Sequence, residues 1–304
     1  MVVDLSVELI HATVQLEQPL GDGTRTVGTG FLIQAPAADG RPRTVLVTAN
    51  HVFEKMPGAE ARIGYRISNA DGSWSYSPQT VKIRDAQGGE LWTHHPSRDV
   101  AAISITAPEA FAKAAIPMDW LASDETFVES GVTAGDELMA LGFPRGLAAN
   151  QAGFPILRSG RIASYPVAPA NIFPTFLLDF SVFPGNSGGP VFLTSRTYRR
   201  EARAATEMAA DASTGPPSVR GAKGAPAAPA KAAAPNQFIA GLLTQQVELN
   251  KERLEIGIVT HAKFIRETIA RLDDPFAPVT TIRADAAVTS MAKAASAEEA
   301  VAPE

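Results

Sequence analysis

Short β-favouring runs follow one another along most of this chain, each broken by Gly, Pro, Asn or Asp. The first six are VELIHATVQL, RTVGTGFLIQ, RTVLVTANH, ARIGYRI, QTVKIRD and DVAAISIT. The second six are DELMALGF, PILRSGRIAS, TFLLDFSVF, PVFLTS, FIAGLLTQQVEL and LEIGIVTHAKF. Many alternate apolar with polar positions or are rich in Val, Ile, Thr and Phe, the pattern of half-buried strands. Regularly spaced short strands point to an all-β sandwich or barrel and away from a βαβ sheet. The runs divide six and six, and the boundary falls at about residues 113 to 134. A helical period appears late, in HAKFIRETIARL, where Phe264, Ile265, Ile269 and Leu272 share one face. The pattern predicts an amphipathic helix there, docked on the core.

Two stretches lack the pattern. Residues 201 to 235 hold 14 alanines mixed with Gly, Pro and Lys, a composition that buries little and reads as a flexible insertion. Its opening REARAATEMAA could be helical. The expectation is a passive surface loop, easily nicked near SRTYRREAR, whose deletion over 203 to 233 leaves the rest of the chain largely unaffected. The tail over 273–304 is similarly Ala-rich and is expected to be loose.

Composition narrows the classes. The 304 residues are 45% hydrophobic and 19% charged, enough for a globular core. A net charge of -5 gives no reason to expect nucleic acid or a membrane surface as partner. With no cysteine there is no disulfide, thiolate metal site or cysteine nucleophile. The start MVVDLSVELIHATVQL has no basic region before an apolar one, so no signal peptide is read, and no membrane span follows. The cytoplasm is the expected location. No H-E-x-x-H, P-loop or dinucleotide fingerprint is present, and no metal or cofactor is expected.

The chemistry concentrates in FPGNSGGPVF, residues 183 to 192, where Ser187 lies among Gly185, Gly188 and Gly189. A plain turn between strands is one reading. GNSGG also matches G-x-S-x-G, the nucleophile elbow of α/β-hydrolases, but that fold needs a helix after the serine, then an acid and a histidine. Here Pro190 and a strand-like run follow, and the acid before His261 would be Asp211, in the low-complexity segment, or a glutamate in poor surroundings. The order histidine, aspartate, serine fits better. His51 ends a strongly apolar run and Asp99 opens another. Alone, His51 reads as a satisfied polar residue and Asp99 as a turn cap. Their order and context together with Ser187 favour chemistry. His94 and His95 point to opposite faces if the run is a strand, lack metal-ligating company and read as surface or packing residues. His261 reads as structural.

At these residues the chain resembles the trypsin-like serine peptidases, and most closely the bacterial Deg/HtrA-like branch. GTGFLIQ and VLVTANHVF resemble the strand pair that delivers the histidine, and DVAAISI the strand opened by the aspartate. GDELMALGFPRG, LRSGRIAS, LLDFSVFPGNSGGPVF and GIVTHAKFI follow in the family's order. The resemblance spans about residues 6 to 270 outside the insertion. It implies two six-stranded antiparallel β-barrels, over about 6–112 and 135–262, in one peptidase domain of 1–272 with a C-terminal helix. It also implies an endopeptidase acting on polypeptide. His51 would be general base and acid, Asp99 would orient the imidazole, and Ser187 would be the nucleophile. The N–H groups of Gly185 and Ser187 would form the oxyanion hole, with glycine at 185 giving access and turn geometry. By the family pattern Ser181 would floor the primary pocket, with Thr244, Gln246 and Gly257 in its walls. No acid is among them, so the expected preference is a small or medium apolar residue, and Gln246 would narrow the entrance.

The departures also carry expectations. No IVGG-type segment is present, and Asn186 stands where vertebrate digestive enzymes have an aspartate that binds a freed amino terminus. Zymogen activation of that kind is not expected. The chain ends before a PDZ domain would fit. Two competing functions stay open: a catalytically silent binding or chaperone module, and an intracellular protease effector activated by a partner.

Overall fold

The fold is described from a computed structural model, over residues 4–194, 237–249 and 252–273. The insertion at 201–235 and the tail beyond Asp273, with the expectations attached to them, lie outside the described residues.

The first half opens with a correction. VELIHATVQL is not one strand: α1 spans Leu5–Ala12, and β1 (Thr13–Pro19) follows directly. Asp4 caps the helix, its carboxylate accepting from Ser6 N at 3.1 Å. Leu5, Leu9 and Ala12 are buried at helical spacing, a period hidden by the β-branched residues beside them. Buried Arg66 receives the helix end. Its guanidinium donates to the carbonyls of Ile10, His11 and Thr13, satisfying groups that a helix C-terminus leaves open.

Beyond β1 come β2 (Arg25–Pro36), β3 (Pro42–Thr48), α2 (Asn50–Glu54), β4 (Glu60–Ser68) and β5 (Trp74–Lys82). Then follow β6 (Thr93–His94), β7 (Ala101–Ile105), α3 (Glu109–Ala114) and β8 (Ile116–Pro117). They form one sheet in the order β5-β4-β1-β2-β3-β7-β6, with β8 pairing parallel to β2. The ladder stays open, where a six-stranded barrel was expected. At one edge β5 is mostly exposed and carries Pro78, which has no N–H to give a further neighbour. At the other, β6 is only two residues long.

A 3₁₀ turn at Met118–Trp120 and α4 (Asp124–Glu129) fill the boundary between halves. The second half matches the expected barrel. β9 (Glu137–Gly142), β10 (Ile156–Ile162), β11 (Thr175–Asp179), β12 (Pro190–Leu193), β13 (Phe238–Leu249) and β14 (Glu252–His261) close in the order β10-β11-β14-β13-β12-β9. Phe176, Leu178, Val191, Phe192, Ile239 and Val259 are buried in its core. The last helix, α5 (Ala262–Ala270), buries Phe264, Ile265 and Ile269 as its periodicity predicted. The molecule is thus mostly β: one closed barrel, one open antiparallel sheet and a few short helices.

His261, at the α5 N-cap, is 2% exposed and packs against Phe127 and Phe176. Burial pushes its pKa from 6.5 down to about 4, against the opposing influence of Asp124, while Lys263 adds to the depression. The unfolded chain therefore takes up this proton between pH 6.5 and 4 while the folded chain does not. The stability His261 confers is complete above pH 6.5 and lost as pH falls toward 4, by about 3 kcal/mol in total. Urea denaturation at pH 7.5 and 5.0 should show a smaller drop for His261→Phe than for wild type; equal drops would remove this assignment.

Candidate active site

The two halves meet along a cleft of about 780 Å³. The open sheet contributes Arg25, Thr26, Val27, His51, Val52, Lys55 and Asp99 to its lining. The barrel contributes Val182 to Gly185, Ser187, Gln245, Val247 and Ile258. Three residues distant in sequence, His51, Asp99 and Ser187, thus face one space.

His51 lies in the first turn of α2, just beyond the apolar strand β3. Val52 and Phe53 are buried and anchor that turn. Gly28 leaves room for it: a Cβ there would overlap the Val52 side chain. Asp99 precedes β7 in a tight loop closed by His95 N donating to Val100 O at 2.9 Å. The loop is tied to α5 by His95, whose Nε2 lies 3.0 Å from a Glu267 carboxylate oxygen. Asp99 holds His51 twice. One oxygen accepts from His51 N at 2.9 Å, and the other is 2.6 Å from Nδ1 of the ring. A carboxylate can only accept, so the ring donates from Nδ1 and turns Nε2 away from Asp99.

The Ser187 turn is clamped by the backbone around it. Gly185 and Gly188 have φ of 96° and 91°, conformations that favour glycine. A Cβ at Gly185 would overlap the Phe143 carbonyl oxygen, one at Gly188 that of Thr29, and one at Gly189 that of Leu141. The glycines thus answer first to the scaffold behind the turn. The turn's hydrogen bonds are donated by Asn186 N to Phe183 O, Gly188 N to Leu243 O and Gly189 N to Asn186 O. Among the described residues, none is donated by Gly185 N or Ser187 N. Arg145 N donates to Pro184 O and so orients the peptide that carries Gly185 N–H.

The residues expected to form the primary pocket lie on β13, β14 and the segment before the Ser187 turn. The Ser181 carbonyl accepts from the Arg158 guanidinium, which stacks near Phe180 and Phe183. Thr244 is buried and its hydroxyl donates to Ile258 O at 3.1 Å. Gly257 faces Val182, Leu243 and Phe180. Gln246 pairs with Gly257 along the β13–β14 ladder. Among the residues lining the cleft are the sequence neighbours Val182, Gln245, Val247 and Ile258, and not Ser181, Thr244 or Gly257; the Gln246 side chain lies outside what the structure describes. The ladder slips between Leu243 and Gln245, and again between Gln246 and Glu248. Such bulges reset which side of a strand each residue faces.

The model of the trypsin-like peptidase domain matches residues 28–197, and the chain belongs to that family. Two structures of the HtrA-type protease AlgW with tripeptide, one of them a variant, are similar at TM-scores of 0.47 and 0.48 and 15% identity. Each alignment covers 88% of this chain and 62% of the other. The chain therefore spans less than two thirds of those proteins. No curated protein sequence matches it.

Gly185→Ala should lower stability by roughly 1–3 kcal/mol, from the left-handed backbone and the overlap with Phe143 O. Urea midpoints would check this; an unchanged midpoint would mean the turn has space the structure does not show.

Proposed function

We propose that the chain is a serine endopeptidase. The observation that carries this reading is the His51–Asp99 pair at 2.6 Å, opening onto the same cleft as Ser187 and the uncommitted N–H groups of its turn. In this reading His51 Nε2 accepts the Ser187 proton as the hydroxyl attacks the scissile carbonyl. Asp99 keeps the proton on Nδ1 and stabilises the imidazolium that forms. The developing oxyanion is met by Gly185 N and Ser187 N, and His51 then protonates the leaving amine. Water repeats the sequence on the acyl-enzyme.

A fluorophosphonate probe should label Ser187, identified by mass spectrometry of the modified peptide, and Ser187→Ala should abolish labelling. A folded wild-type chain that resists the probe would favour the silent binding module instead. Asp99→Asn should lower kcat by about 10⁴-fold, because the amide selects the wrong ring tautomer.

The substrate is a polypeptide with an apolar residue before the scissile bond. Val182, Phe183, Val247 and Ile258 support this, since they line the barrel side of the cleft that also holds Ser187. Cleavage of a peptide library should show enrichment of apolar side chains at that position. A dominant Arg or Lys preference would reject it.

A further inference from the structure

The geometry points to Thr29 as a positioning residue for the oxyanion turn, joining it to the strand that delivers His51. This inference rests on the peptidase reading. Thr29 belongs to the GTGF run of β2 and is completely buried. Its hydroxyl donates to Gly185 O at 2.7 Å and accepts from Phe143 N at 3.1 Å. Its own N–H donates to Ser187 O at 2.9 Å. Its carbonyl accepts from the Thr48 hydroxyl at 2.7 Å, and Thr48 ends β3 three residues before His51.

These bonds close a ring. Thr29 Oγ1 holds Gly185 O; the preceding carbonyl, Pro184 O, is held by Arg145 N; and Phe143, two residues before Arg145, returns to Thr29 Oγ1. The peptide that carries Gly185 N–H is therefore fixed on both flanks, and one flank depends on a single hydroxyl. A donor aimed at an oxyanion works only if its direction is set before charge develops. Without the hydroxyl, Gly185 O and Phe143 N lose their shared partner, and the turn can rotate to find another. Thr29 touches no reacting atom. Its effect passes through Gly185 and, by its backbone, through Ser187.

The test compares Thr29→Val, which keeps shape and loses the hydroxyl, with Thr29→Ser, which keeps the hydroxyl. Ser123→Ala is the control, since it removes a structural hydroxyl, the α4 cap that accepts from Thr126 N, and leaves the Thr29–Gly185 bond. Active sites are counted by fluorophosphonate labelling, and hydrolysis of a peptide p-nitroanilide with an apolar residue before the scissile bond is measured per labelled site. Thr29→Val should lose on the order of 10–100-fold in kcat with KM little changed, a fraction of the effect of deleting a donor outright. Affinity for the matching peptide boronic acid, whose adduct carries the tetrahedral oxygen, should fall by a similar factor. Thr29→Ser should restore both, and Ser123→Ala should lower Tm without lowering kcat per site. If Thr29→Val does not fold, Thr29→Cys, with a weaker donor of similar size, should show the same split. Unchanged kcat and boronate affinity in a folded, labelled Thr29→Val or Thr29→Cys would overturn the proposal alone. Failure of the wild-type chain to label at Ser187 would overturn it together with the peptidase reading.

Discussion

Backbone carbonyls crowd the Ser187 turn at three glycines. Thr29 of β2, Leu141 of β9 and Phe143 just beyond β9 each bring a carbonyl to where a side chain on Gly188, Gly189 or Gly185 would stand. The two halves of the molecule meet at this contact, main chain against main chain. Ser187 O and Gly185 O bond to the open sheet, and Gly188 N and Gly189 N bond within the barrel side. Gly185 and Ser187 line the cleft, and among the described residues their N–H groups donate no hydrogen bond. The local cost in chain entropy of so many glycines is offset by the number of hydrogen bonds their absence of side chains permits.

The same economy appears at His51. The imidazole is not placed by its own packing alone. Asp99 holds both the ring and the backbone of that residue, and α2 can approach β2 because position 28 is glycine. Asp99 in turn belongs to a loop tied to α5 through His95 and Glu267. A residue read as surface or packing is therefore a link between the terminal helix and the cleft. Arg66, buried between Phe111 and Phe154, plays a comparable part at α1 by gathering the helix's terminal carbonyls.

Much of this was legible in the chain. The twelve apolar runs located most of the strands, and the order His51, Asp99, Ser187 named three residues that do line one cleft. The helical period of the last segment marked α5. The failures are instructive because each has a physical source. α1 was hidden because Val7 and Ile10 favour strands while Leu5, Leu9 and Ala12 keep a helical period, and burial decided for the helix. The cleft is lined by Val182, Gln245, Val247 and Ile258, a choice the runs did not make, because strand alternation fixes which residues share a face but not which face meets the cleft.

The sequence by itself determined the β character, the split into two halves and the candidate residues His51, Asp99 and Ser187, because these follow from local periodicity and residue type. Tertiary structure alone decided whether a half closes into a barrel, which residues wall the cleft, and what Thr29 does. Those depend on pairings between segments far apart in the chain: a bulge in β13, an edge strand left exposed, a threonine hydroxyl reaching a carbonyl 156 positions away. No local pattern encodes a hydrogen bond whose partners become neighbours only when two halves fold against each other.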